Sequence, residues 1–391
     1  MLKRDKALDI NLENYKVDAK DHAYVEKLSQ IDSTDAMQFL DVGVDIDEND
    51  RAGTFIQKDK SLIHCKTRQD GVGVMGISQA LEKHEWLSGY MWGNISPDTD
   101  KFTLQAKEKP HEGYFIHALP GVKTKHPVQS CLYIAKDGFS QNVHNIVIAE
   151  QGSELHIITG CATAPHLVTG LHVGISEFYV KKGAKLVFTM IHDWGDKVNV
   201  RPRTVTKVDE GGVIISNYIS LRPVGSLQMY PTTHLNGKGA VARFNSVLVA
   251  GKGSLLDVGS KIVLNAPETR AEIISRGISS GGSIVARGNL IGKVAGIKAH
   301  LECKGLILND GLMQAIPELT GHVPGVEMSH EASVGKIDQQ EIEYLMARGL
   351  NEEEAISTIV RGFLNVDIEG LPAALKKKLD EAVTETQKDM M

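Results

Sequence analysis

Between residues 127 and 326 the chain alternates short apolar runs with turn signals. "NIVIAEQGSELHIITG", "GISEFYVKKGAKLVFTMIHDW", "GGVIISNYISL", "ARFNSVLVAGKGSLLDVGSKIVL", "AEIISRGISSGGSIVARGNLIG" and "HLECKGLILND" follow one another. Inside them apolar residues fall at every second position or run on for a few residues, as strands buried on one or both faces require. Gln151-Gly152-Ser153, Lys182-Gly183, Glu210-Gly211-Gly212, Asn236-Gly237-Lys238-Gly239, Gly251-Lys252-Gly253 and Ser280-Gly281-Gly282 punctuate the runs, and no long helical period interrupts them. Successive major turns at 152, 183, 211 and 237 lie roughly 26–31 residues apart. A sandwich tolerates that spacing. A solenoid accounts for it better, because each rung buries its inward face on the next. The expected fold is therefore mainly β, with a right-handed β-helix over residues 121–330.

The two ends read differently. Residues 1–120 form an α/β region, with strands expected at 53–57 and 61–65 around the polar "KDK". Ile77, Ala80, Leu81, Trp86 and Leu87 then follow a helical period. Residues 331–391 are expected to be helical. Asp338 stands three residues before Glu341 and Asn351 three before Glu354, both arranged as capping boxes, and Gly349 closes the first helix. Ile356, Ile359, Val360 and Phe363 share one face of the second helix, and "LPAALKKKLDEAVTETQKDMM" reads as a third.

Composition changes this picture little. With 391 residues, 42% apolar and 24% charged, the chain is ordinary for a globular protein that buries a large core. Its net charge of −6 provides no basic footprint for nucleic acid. No run reaches the roughly 20 apolar residues of a membrane span, and the N-terminus lacks a signal-peptide core, so a cytoplasmic location is expected. Cys65, Cys131, Cys161 and Cys303 are far apart and form no C-x-x-C pair, which speaks against a zinc ribbon.

Candidate chemistry is sparse. "SHEAS" at 329–333 begins like a zincin helix, but Val334 stands where the second histidine belongs and Gly335 follows. In an extended segment His330 and Glu331 point to opposite faces, so only one of them enters a given pocket. Cys161, in "HIITGCATAPHL", lies between Gly160 and Ala162, an open setting for an acceptor thiol or for an inert turn cysteine. Cys303 shares one strand face with Leu301, while His300, Glu302 and Lys304 share the other; a core cysteine and an iron-binding thiol both fit. His192, Trp194 and Lys207 are polar positions near the end of one rung and the start of the next. No P-loop occurs, and "GVGVMG" lacks the context of a dinucleotide fingerprint.

Taken in order, "GCATAP", "HVGISEFYVKKGAKLVFTMIHDW", "ISRGIS", "ECKGLILND" and "SHEASVGKIDQQEIEYLMARGLNEEEAISTIVRGF" resemble the SufB/SufD family of iron–sulfur cluster assembly proteins. The likeness spans roughly residues 125–372 and is strongest from Ser329 to Phe363. It implies a β-helix core and a scaffold rather than an enzyme, one that takes up sulfur and iron and builds a nascent iron–sulfur cluster at a dimer interface. It further implies a SufC-type ABC ATPase docked on the C-terminal helices, a homodimer or SufB/SufD-type heterodimer, and a cysteine desulfurase or other sulfur donor. Cys161 matches the family's sulfur-accepting thiol, and Cys303 its cluster-assembly thiol and ligand. His330 and Glu331 match the interface residues that hold the cluster, while His192, Trp194 and Lys207 match positions along the sulfur path.

The sequence also departs from the family pattern. The family's "QNW" is His192-Asp193-Trp194 here, and its "EHE" is Ser329-His330-Glu331, so one carboxylate is lost. Both cysteines being present, the assignment is SufB-like with mixed SufB/SufD character. The alternative is a SufD-like subunit that holds the complex together without carrying a cluster.

Overall fold

The computed structural model describes residues 9–46 and 50–364. The repeated strand-turn pattern winds into a β-solenoid of about eight turns, followed by helices. The first of its two sheets has ten strands, running from Ser61–Thr67 and Gly53–Lys58 through Val128–Ile134, Glu154–Thr163 and Lys185–Asp193 to Lys298–Leu308 and Glu327–Gly335. The second has eleven and includes Phe139–Ala149, Gly170–Val180 and Arg203–Val208. Within the solenoid each strand pairs in parallel with the strand one turn on, in unbroken register. Equivalent residues of successive rungs therefore stack into columns about 4.8 Å per step.

The turn glycines hold the rungs in this register. Gly183 and Gly211 adopt φ of 64°, a left-handed conformation that costs glycine nothing. The N–H of Gly183 donates to the carbonyl of Glu210, and that of Gly211 to Lys238, so each turn is bonded to the next. Gly237 serves another purpose: a Cβ there would lie 1.9 Å from the Glu210 nitrogen. A side chain at 237 would force two rungs apart.

Alternate residues of each strand face the solenoid interior, where Phe188, Leu248, Ile273, Leu301 and their neighbours form the main core. Each large aliphatic or aromatic side chain so buried stabilises the fold by about 1.5–3 kcal/mol. A second apolar cluster lies on the outer face of the first sheet. There the helix α1 (Ser33–Asp41) contributes Phe39, and the C-terminal helices α2 (Gln339–Met346) and α3 (Glu352–Leu364) follow, α3 contributing Val360 and Leu364. Asn351 and Glu354 exchange side-chain bonds with each other's backbone N–H at 2.8 Å, a true capping box at the start of α3. At Asp338 only the forward bond to the Gln340 N–H forms. The third expected helix lies outside the described residues.

The sheets extend past the region expected to be β-helix. Gly53–Lys58 pairs in parallel with Val128–Ile134, so the N-terminal region supplies the first rung, and Glu327–Gly335 carries the first sheet beyond residue 330. The two ends of the stack are unlike. At the N-terminal end the antiparallel strand Ser61–Thr67 forms the edge, and residues 22–25 cover it through Val25 N–H to the Ile63 carbonyl and Tyr24 Oη to the Cys65 carbonyl. At the other end Leu312–Gly321 and Glu327–Gly335 each pair with one neighbour only, leaving Leu312 and Val334 52% and 38% exposed. No helix among the described residues is long and apolar enough to cross a membrane.

Candidate functional site

Register decides which candidates meet. Leu132, Cys161, His192 and Ser220 form one inward column, because each pairs with the next across neighbouring strands. Two residues earlier along the same strands, Thr159, Met190, Tyr218, Ser246, Ser275 and Cys303 form a second inward column. One column further, Ile273, Leu301 and His330 stack. Cys161, His192, Cys303 and His330 thus all face the interior. Five strand steps separate the rungs of the two cysteines, roughly 24 Å along the axis.

Cys161 is fully buried, and desolvation pushes its thiol well above the ordinary range. On the adjacent rung His192 is buried with its Nδ1 2.8 Å from Tyr218 Oη, while its Nε2 has no partner. A neutral His192 that accepts the phenol proton at Nδ1 carries its own hydrogen on Nε2. Trp194 Nε1 is a second buried N–H without a partner. The indole lies 5.4 Å from the His192 ring and 5.0 Å from the His172 ring, centroid to centroid. His172 completes the group, its Nδ1 bonded to Gln141 Oε1 at 3.0 Å. His192 pairs in register with Cys161 and Trp194 packs on His192, so unsatisfied donors of this cluster can stabilise an anion formed there, since buried N–H groups without acceptors are costly.

Burial also sets the acid sensitivity of this cluster. It lowers His172 to about 3 and His192 well below its usual value, the latter helped by His172 itself. An unfolded histidine takes up a proton near pH 6.5, whereas the folded His172 does so only near pH 3. Between those values the unfolded chain binds more protons, so stability falls as pH falls, by up to about 1.4 kcal/mol per pH unit for this group. We expect His172→Gln to flatten the slope of unfolding free energy between pH 6.5 and 4, measured by urea titration. Parallel slopes for variant and wild type would remove His172 as a cause.

Between the Cys161 and Cys303 ends the interior is not filled. Met190, Tyr218, Ser246 and Ser275 of the first sheet and Thr206 and Ser260 of the second line a cavity of ≈ 40 Å³, room for a few water-sized occupants. Polar inward positions continue from it toward Cys303 through the hydrogen-bonded Ser246–Ser275 pair, 3.0 Å apart. Cys303 is itself buried. Desolvation first, and then the charge of Glu302, push its thiol up to about 11.

At the open end His330 and Glu331 separate. His330 is exposed on the inward face, diagonal to Cys303, whose direct partner is Ala332. Glu331 is on the outward face beside Glu302, and Lys304 Nζ approaches it at 3.3 Å while bonding Glu302 at 2.9 Å. Within one chain, then, Cys303 and His330 are brought together and Glu331 is not. Lys207 also points outward: it pairs in register with Tyr179 and His234 on the outer face of the second sheet, away from both cysteines. Among the described residues no group of three or more His, Cys, Asp and Glu side chains is placed to hold a metal ion.

Tyr218, His172 and Gln141 are not among the residues that the sequence alone points to. For Tyr218 and Gln141 the signal is phase: in "VIISNYIS" and "FSQNV" the polar side chain falls in step with inward Ile214, and with Phe139 and Val143. His172 gives no such signal, because its neighbours Leu171 and Val173 are buried on the opposite face.

Residues 132–363 match the family model described as SUF system FeS cluster assembly, SufBD core domain. An iron–sulfur cluster assembly SufBD family protein of Archaeoglobus fulgidus is 51% identical over 358 residues, covering 91% of this chain and 96% of that one. One from Methanothermobacter thermautotrophicus (strain Delta H) is 46% identical over 383 residues, covering 95% and 93%. The iron–sulfur cluster assembly protein SufB of Bacillus subtilis is 30% identical over 332 residues, covering 82% and 71%.

Proposed function

The chain belongs to the SufBD family of SUF-system iron–sulfur cluster assembly proteins, and from that premise we propose that it is the SufB-like scaffold of a cytoplasmic assembly complex. Sulfur from a cysteine desulfurase or another donor is accepted at Cys161, where the unpartnered N–H groups of His192 and Trp194 favour the anionic form of sulfur. It then passes along the polar inward positions, past the cavity, to Cys303. Iron and sulfur, both cargo, combine there into a nascent cluster held by Cys303 and His330. A second copy or a SufD-type partner covers the open rung and supplies the remaining ligands, while a SufC-type ATPase docks on α2 and α3. The chain itself is a scaffold without turnover.

The observation that carries this reading is the placement of Cys303 and His330 on one inward face at the open end of the stack. A thiolate and an imidazole suit iron–sulfur chemistry, and an exposed last rung leaves room for the ligands that one chain lacks. Anaerobic reconstitution with ferrous iron and sulfide tests it. Wild type should acquire the broad visible absorbance of a cluster, and Cys303→Ala and His330→Ala should lose most of it. Identical spectra for wild type and Cys303→Ala would show the site to be wrongly assigned. A chain that takes up no cluster with the ATPase alone, and only structures a complex containing a second homologue, would instead be the SufD-like subunit.

A further inference from the structure

A separate cavity lies outside the solenoid, on the outer side of the second sheet. Tyr179, Lys181, Lys207 and Asp209, at the ends of Gly170–Val180 and Arg203–Val208, form one side, and Tyr90 and Asn94 the other. Its volume is ≈ 240 Å³. That is space for one small organic molecule, and less than the roughly 300–1,000 Å³ of a cofactor-sized pocket.

The wall is built rather than slack. Glu177, fully buried, accepts the backbone N–H groups of Trp92 and Asn94 and holds His144 Nε2 at 2.9 Å. Trp92 is kept at φ 58°, where a bulky residue is strained. Tyr179 Oη donates to the Tyr90 carbonyl at 2.9 Å, and a Cβ on Gly93 would come within 2.8 Å of that oxygen. Inside this frame the Asn94 side chain leaves both its amide nitrogen and its oxygen buried without a partner. Lys181 lies over the rings of Tyr90 and Tyr179, 5.2 and 5.7 Å from their centroids. Lys181 and Lys207 are half-buried and have no ion-pair partner among the described residues.

We propose that this cavity binds a small carboxylate bearing a hydrogen-bond donor on the next carbon, the class of α-amino and α-hydroxy acids. Two ammonium groups and the Asn94 amide belong to the lining of this one cavity and supply donors for an oxyanion. Asp209 and the Asn94 carbonyl remain as acceptors for an ammonium or hydroxyl group, and the two tyrosine rings offer a short apolar wall. A simple anion would satisfy only half of this set. The inference does not depend on the assembly function.

Calorimetry on the full chain with L-alanine, L-lactate, propionate, ethanolamine and inorganic phosphate tests the proposal. Alanine or lactate should bind at one site more tightly than the other three, and the order of those two identifies the donor as ammonium or hydroxyl. Lys207→Met and Asn94→Ala should each weaken that binding about tenfold or more, the size of a lost charge-assisted bond. Lys207→Arg should recover part of it, and unliganded unfolding midpoints verify that each variant is folded. Propionate or phosphate binding as well as alanine and lactate would reduce the site to a general anion patch and overturn the proposal. So would the absence of any binding at millimolar ligand, or affinity unchanged in a folded Lys207→Met.

Discussion

Replacing Glu177 with alanine is expected to destabilise the protein by about 3–5 kcal/mol, the range found when one partner of a buried charged network is removed. The carboxylate has no solvent exposure, and its partners cannot turn to water in its absence. The N–H groups of Trp92 and Asn94 would be left buried, and His144 Nε2 would lose its acceptor while Nδ1 already lacks a partner. The left-handed Trp92 adds to the loss, since a strained backbone persists only where its surroundings enforce it. Glu177→Gln keeps one acceptor oxygen and should lie between wild type and alanine. Urea unfolding gives the magnitude, and amide hydrogen exchange at Trp92 and Asn94 shows whether the loss is local to that turn. A change below about 1 kcal/mol, with protection retained, would mean that the turn is held by something else.

The second large effect is expected at the open rung. Val334 faces inward there and is 38% exposed, on a strand with a single neighbour. If a second chain covers this end, a carboxylate at 334 must be buried against apolar surface, which costs several kcal/mol without a partner. Val334→Asp should therefore turn a dimer into a monomer in sedimentation. It should also abolish cluster retention although Cys303 and His330 are untouched, while sulfur loading at Cys161, six strand steps away, continues. A Val334→Asp chain that remains dimeric would place the subunit interface elsewhere.

Much of this arrangement is legible in the residues. The turn glycines mark the rungs because a left-handed backbone is a local demand that one residue type meets without strain. Period two separates His330 from Glu331, and Leu301 and Cys303 from Glu302, before any coordinates are known. The joining of the N-terminal strands to the solenoid is not legible. Gly53 pairs with Val128, and nothing local announces a parallel partner so distant in the chain. Lys207 shows the limit of phase. In "TVTKV" Thr204, Thr206 and Val208 face inward and Val205 and Lys207 outward, so each face carries one valine beside polar residues and alternation alone does not choose. The Tyr218–His192 contact is likewise hidden, because it depends on which rungs are neighbours and not on spacing along one strand.

The unlike ends of the stack have a consequence for assembly size. A solenoid open at both ends could add copies head to tail without limit, as a heterologous contact does when it fails to close. Here residues 22–25 are bonded over Ser61–Thr67 at one edge of the first sheet, whereas among the described residues no segment pairs with the free side of Glu327–Gly335 at its other edge. A molecule with one adhesive end is a chain terminator. When two Glu327–Gly335 edges meet, neither is left for a third copy, so growth through this contact stops at a pair without any further regulation.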